Sequence, residues 1–127
     1  METLIQEPSK EELTKKGFTN RIKVAEGQTK ASLLAYGFTN HNPNVLYFVR
    51  MVADNISFNL SLDVNTLEVK DIDVLDERFL QTYDYQQMIL DDEYGKFQLT
   101  VYHNVNELLQ TFQNDGIITG FEKGMYI

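Results

Sequence analysis

Asp71 and Asp73 are the residues whose type and spacing best fit chemistry. On a strand, both carboxylates point to one side, about 7 Å apart. Such a pair can exchange protons with a substrate or hold a divalent ion. Acid–base catalysis also needs a carboxyl group whose pKa is raised by burial, and the following residues, Asp76 and Glu77, form no apolar wall. A solvated acidic face is therefore the favoured interpretation, and a catalytic or metal-binding pair is the alternative.

The other candidate chemical groups stand alone in the sequence. His41 and His103 have no second ligand at a metal-binding spacing. Ser57 and Ser61 lack the glycines of a nucleophile elbow. The chain has no cysteine and no glycine-rich phosphate loop, which excludes thiolate metal sites, disulfides and the common nucleotide cradles. The sequence therefore predicts no catalytic residue, no cofactor and no metal.

Tyrosines and acidic side chains alternate in the segment 71–94. Tyrosine is favoured at binding surfaces because its ring covers area while its hydroxyl stays polar. We therefore predict a protein-binding face here, and the alternative is that the rings pack on the core while the acids face water. The predicted face comprises Asp71, Asp73, Asp76, Glu77, Tyr83, Tyr85, Asp91, Asp92 and Glu93.

The charge of the chain is concentrated in its second part. The 127 residues carry a formal charge of −8. Residues 1–50 hold seven basic and five acidic side chains, whereas residues 51–127 hold four and fourteen, which gives +2 and −10. Such a surface repels phosphate backbones. The sequence thus predicts no direct nucleic-acid binding, and it favours a basic protein as partner.

Length and hydropathy predict one domain, 1–127, with residues 1–8 as a loose lead-in. The longest apolar run, residues 45–49, is far shorter than the roughly 20 residues of a membrane span. The first residues lack the pattern of a signal peptide, so we expect a cytoplasmic protein with no membrane partner. Eight lysines against three arginines suggest an AT-rich genome, such as that of a bacterium or its phage.

The hydrophobic pattern predicts an antiparallel meander over about 45–75. Residues 45–53 are apolar at both odd and even positions, which is typical of a strand covered on two faces. Residues 56–63 alternate, as in a half-buried strand, after a turn at Asp54–Asn55. The third strand, 67–75, changes phase, which a one-residue bulge near Lys70–Asp71 would explain.

Flanking elements complete the predicted α+β fold. Helix-capping patterns begin at Ser9, Asp84 and Asn104, and the last of these opens an amphipathic helix over about 105–114 that ends at residues 114–116. The helices at Ser9 and Asp84 are short. We predict further strands at 21–25, 30–38, 96–103 and 117–121.

Three functions fit these observations. The favoured one is a non-catalytic protein-binding module that uses the acidic, tyrosine-rich face, as an inhibitor or immunity protein would. The second is a small enzyme or ligand binder with a site between sheet and helix, where Tyr102, His103 and the pair Asp71 and Asp73 are the first candidates. The third is a homo-oligomeric assembly protein whose edge strands pair between copies.

Overall fold

The computed structural model describes residues 21–123, and it confirms the α+β class with a central meander. Five strands form one antiparallel sheet in the order β2-β3-β4-β5-β6, and β1 and β7 form a separate two-stranded sheet. The strands are β1 (Lys23–Val24), β2 (Thr39–Asn42), β3 (Val45–Ala53), β4 (Ile56–Asp63), β5 (Val69–Asp76), β6 (Gln81–Thr82) and β7 (Ile118–Thr119).

One face of the five-stranded sheet carries the core. Because side chains alternate along a strand, the apolar residues of β4 all point to one side. All four are at most 1% exposed, and they are Ile56, Phe58, Leu60 and Leu62. The residues between them, such as Asn59 and Ser61, point to the opposite face.

Helices cover the core face. The helices are α1 (Lys30–Tyr36), α2 (Tyr85–Leu90) and α3 (Lys96–Asn114). Val101, Val105 and Phe112 recur along α3 at helical spacing and are buried. The ring of Phe112 packs edge-on against that of Phe48, with 4.9 Å between centroids. α2 packs on α3, which makes a second layer over the core.

The predicted strand at 96–103 is wrong, because these residues form the first half of α3. Phe97, Leu99 and Val101 alternate like a strand, but only Val101 is buried, and Phe97 is 41% exposed. Val101 is spaced four residues from Val105, so the helical stripe extends further back than expected. Packing of a long helix across the sheet overrides the local strand pattern.

Asn104 does not cap a helix, as the sequence predicted, but lies within α3. Its side-chain Nδ2 donates a hydrogen bond of 2.7 Å to the backbone carbonyl of Val52. The pairing of β3 with β4 shifts between Met51 and Ala53, which leaves Val52 as the extra residue of a bulge. The amide therefore ties the helix to an irregular point of the sheet.

The predicted strand at 30–38 is also wrong, because residues 30–36 form α1. Thr29 accepts a hydrogen bond from the backbone of Ser32, and the Ser32 hydroxyl accepts one from the backbone of Thr29. This is a capping box with serine in the place that glutamate usually occupies. Gly37, with φ of 136°, ends the helix.

Other local predictions are confirmed. Ser61 pairs with Asp71 and Leu62 with Val69, which leaves Lys70 as the extra residue of the expected bulge. Asn55 has a φ of 60° in the turn between β3 and β4. Asp84 caps α2 by accepting from the backbone of Gln87. The lead-in at 1–8 and the helix predicted after Ser9 lie outside the described residues.

Candidate functional site

Asp71 and Asp73 lie on the sheet face opposite the core. Cross-strand pairing places Asp73 beside Asn59 and Asn59 beside Val49. Among the described residues, no helix packs on this side, since α1 and α3 lie on the core side. We call this surface the open face, defined by Tyr47, Val49, Met51, Ser57, Asn59, Ser61, Asp71, Asp73 and Leu75.

The open face combines apolar and acidic side chains. Val49 is 52% exposed and Met51 54% exposed, although most large apolar groups of the described chain are buried. The sequence predicted a strand covered on both faces at 45–53, and this exposure corrects that prediction. The two faces of β3 carry similar residue types, so composition alone did not distinguish the covered side from the exposed one.

The carboxylate of Asp73 is held in an unfavourable electrostatic setting. Partial burial raises its pKa, and the neighbouring charge of Asp71 raises it further. The Thr82 hydroxyl donates to Asp73 Oδ2 at 3.3 Å and partly offsets the shift. A positive group on this face would therefore relieve the repulsion between two carboxylates.

Ser57 and Glu77 form a partly buried contact at the edge of the open face. The Ser57 hydroxyl donates to the Glu77 carboxylate, and Asn59 Nδ2 donates to the Ser57 oxygen at 2.9 Å. Ser57 is completely buried. Glu77 is thus fixed beside the face, and Ser57 is not accessible to a substrate as a nucleophile.

Asp76 does not belong to an exposed acidic face. It is only 5% exposed, and both of its carboxylate oxygens accept from the Arg78 guanidinium, at 3.1 and 2.9 Å. The same oxygen Oδ1 also accepts from the Arg78 backbone. These hydrogen bonds lower the pKa of Asp76. Its carboxylate therefore stabilises the connection after β5 and is not available to a partner.

The two predicted tyrosines have different positions. Tyr85 is 1% exposed and lies in the core, so its assignment to a binding face is wrong, and the alternative of rings packed on the core holds for it. Tyr83 is half-buried, and its hydroxyl accepts from Gln98 Nε2 at 2.9 Å. Its ring lies edge-on to that of Phe97.

Asp91, Asp92 and Glu93 are exposed, but they follow α2 on the helical side of the molecule. Gln87 Nε2 donates to Asp91 at 3.0 Å. Asp71 and Asp73 point away from this layer. The predicted residues thus divide between the open face, the helical side and the interior, and they do not form one surface.

The groups proposed for an enzyme are not brought together either. Tyr102 is 2% exposed on α3. A cavity of about 290 Å³ lies between the end of β3 and α3, but neither Tyr102 nor His103 lines it. Within residues 21–123, no group of three or more acidic or histidine side chains is arranged to hold a metal ion.

One larger groove runs between residues 22–28 and residues 66–72, with a volume of about 620 Å³. Asp71 is among its lining residues, but Asp73 is not. Among residues 21–123, no helix has the length and apolar character required to cross a bilayer.

A solved structure shares this fold. A DUF1831 family protein from Lactobacillus plantarum superposes with a TM-score of 0.59 and 12% sequence identity, over 77% of this chain and 84% of that protein. No family model and no curated protein matches the sequence. The likeness establishes the fold, and it brings no activity with it.

Proposed function

We propose that the protein is a non-catalytic protein-binding module whose open face takes up a basic, partly apolar surface of another protein. One observation carries this proposal: Asp71 and Asp73 lie on the same face as the exposed Val49 and Met51. Apolar area supplies affinity, and the carboxylates supply selectivity and fast association. An inhibitor or immunity role, in which carboxylates replace phosphates before a basic protein of a bacterium or phage, belongs to this proposal.

The electrostatics of Asp73 support it. Burial and Asp71 raise the pKa of Asp73, so the ionised pair is unfavourable for folding at neutral pH. A lysine or arginine from a partner would turn this repulsion into attraction. Among the described residues, no basic side chain forms an ion pair with either carboxylate. A binding role would explain why both stand on one strand.

Binding of a defined basic peptide tests the proposal. The probe is an acetylated heptapeptide amide with three central leucines between two pairs of lysines, titrated by calorimetry. We expect the Asp71→Asn/Asp73→Asn variant to bind it about tenfold more weakly, because two charge pairs contribute about 0.2–1 kcal/mol each. The affinity of the natural protein should fall as salt is added.

The matched control is Asp91→Asn/Asp92→Asn, which removes the same charge from the helical side. We expect it to bind with less than a twofold change in affinity. Equal weakening by both double variants would mean that only net charge matters. No weakening by either would exclude the carboxylates from binding. Both results would contradict the proposal.

A further inference from the structure

The groove between residues 22–28 and 66–72 lies between two strand edges, and we call it the slot. Its walls are β1 with the residues that follow it, and the first half of β5 with the preceding turn. β5 belongs to the five-stranded sheet and β1 to the two-stranded sheet. The slot thus separates the two sheets of the molecule.

The β5 wall presents backbone groups for which the described part of the chain supplies no hydrogen-bond partner. Among the described residues, β6 pairs only with Leu75 and Asp76, and the Tyr83 amide donates to the Val74 carbonyl. The backbone of Val74 therefore points away from β4. Because this direction alternates along a strand, the amide and carbonyl of Ile72 point the same way, toward the slot.

The β1 wall presents a second set of backbone amide and carbonyl groups to the slot. The Ala25 amide donates to the Ile117 carbonyl at 2.9 Å, next to the pairing of Val24 with Ile118. Ala25 thus bonds toward β7. By the same alternation, the amide and carbonyl of Val24 point away from β7, and Val24 lines the slot.

The side chains of the slot favour an alternating occupant. Ile22 and Ile72 line it and are buried, at 2% and 7% exposure, which gives an apolar floor. The slot is also lined by basic and acidic side chains, so it does not favour an occupant of one net charge. These side chains are Lys23, Glu26, Glu68, Lys70 and Asp71. An extended chain with apolar residues at every second position would place them on this floor.

We propose that the slot binds an extended segment of a partner protein by strand addition, with apolar residues at every second position of the segment. The backbone of the bound segment forms hydrogen bonds with Ile72 on one side and with Val24 on the other. The segment thereby joins the two sheets. The volume of about 620 Å³ lies within the usual range of binding pockets. Main-chain bonding of this kind is an established mode of peptide recognition.

This inference does not depend on the proposed function, because it uses backbone groups and an apolar floor, and the two surfaces share only Asp71. A neutral probe keeps the two apart. We choose an acetylated heptapeptide amide of alternating threonine and valine, and we measure amide hydrogen exchange of the protein by NMR. Binding of this probe should be insensitive to Asp73→Asn, which leaves the slot-lining Asp71 in place, and to salt, whereas binding of the lysine–leucine probe should be sensitive to both.

In the free protein, the amides of Ile72 and Val24 should exchange faster than that of Asp73, which bonds to β4. With the probe bound, we expect their exchange to slow at least tenfold. The same peptide, N-methylated at its valines, should give no protection, because methylation removes donors along one edge. Val24→Pro should weaken binding about tenfold, since it removes an outward donor, and Val24→Thr should bind like the natural protein.

Three results would overturn the inference. Ile72 and Val24 amides that are already protected in the free protein would mean that the chain itself, or a second copy at high concentration, fills the slot. Unchanged exchange at millimolar probe would mean that no strand is added. Equal protection of the β2 amides, at the other edge of the sheet, would mean unspecific pairing.

Discussion

The two faces of the sheet are made by the same strands and differ in how far their side chains are buried. On the core side, Phe58 and Leu60 are completely buried, and the Phe58 ring lies against that of Phe112 on α3. On the open side, Asn59 alternates with them along β4, beside Val49 and Asp73. One strand therefore contributes to stability with one half of its residues and leaves the other half free to serve recognition. Substitutions on the two faces should separate these roles.

The largest difference in the free energy of unfolding should be that between Phe112→Ala and Met51→Ala. Phe112 is 1% exposed, and its ring contacts four other aromatic rings. Its truncation should lower the free energy of unfolding by about 3–5 kcal/mol, because a large cavity remains. Met51→Ala should change it by less than about 0.5 kcal/mol. Urea denaturation measures both, and similar losses would contradict the division into two faces.

Tyr36→Phe should have a smaller effect on the core side. The Tyr36 hydroxyl donates to Asp115 at 2.6 Å, and such a bond contributes about 0.5–1.5 kcal/mol. Burial, with Asp115, raises the pKa of Tyr36 to about 12. The folded state thus holds this proton more tightly than the unfolded chain, whose tyrosine titrates near pH 10.

The stabilisation by the Tyr36 proton is therefore complete below about pH 10, and it is lost as pH rises toward 12. Denaturation at pH 8 and at pH 11.5 measures this loss. Tyr36→Phe should lose less stability over the same interval, since it has no hydroxyl to titrate. An identical loss in both proteins would show that the Tyr36 proton is not the cause.

The accuracy of the sequence predictions differs between the meander and the helical layer. The phase break at Lys70 is a local signal, because a slip of one residue would turn Val74 away from the core. At 96–103, by contrast, Val101 fits two patterns. One is a strand in which every second residue is apolar, and the other is a helix in which Val101 lies on the same side as Val105. The packing of α3 across the sheet resolves this ambiguity, and such a contact is distant in sequence.

The candidate site divides in the same way. The shared direction of Asp71 and Asp73 follows from strand geometry alone, and the structure agrees. The inward position of Tyr85 depends on how α2 packs, and the burial of Asp76 depends on Arg78 folding back two residues later. The openness of one face of β3 depends on which elements cover the sheet. The residue types at 45–53 do not indicate which face is left uncovered.

The smallest effect should be a gain in stability on the open face. Burial and Asp71 raise the pKa of Asp73, so the folded state favours its protonated form. The stability associated with that proton is present below the unfolded pKa of about 4 and is lost as pH rises. Asp73→Asn should therefore stabilise the protein at pH 7, within about 0.5 kcal/mol, and not at pH 3.

Urea denaturation at the two pH values measures the gain from Asp73→Asn. A loss of stability at pH 7 would show that the ionised carboxylate is stabilising in the fold. The same substitution should weaken binding of the lysine–leucine probe. A gain in stability with a loss of binding would sharpen the contrast between the two faces.

Mapping the lysine–leucine probe on the ¹⁵N-labelled protein by NMR tests the central claim most directly. The account predicts that the amide shifts of Val49, Asn59 and Asp73 change most, and that those of Asp91–Glu93 stay within the background. Largest changes at Asp91–Glu93, or changes spread evenly over the acidic residues, would contradict the assignment of recognition to the open face.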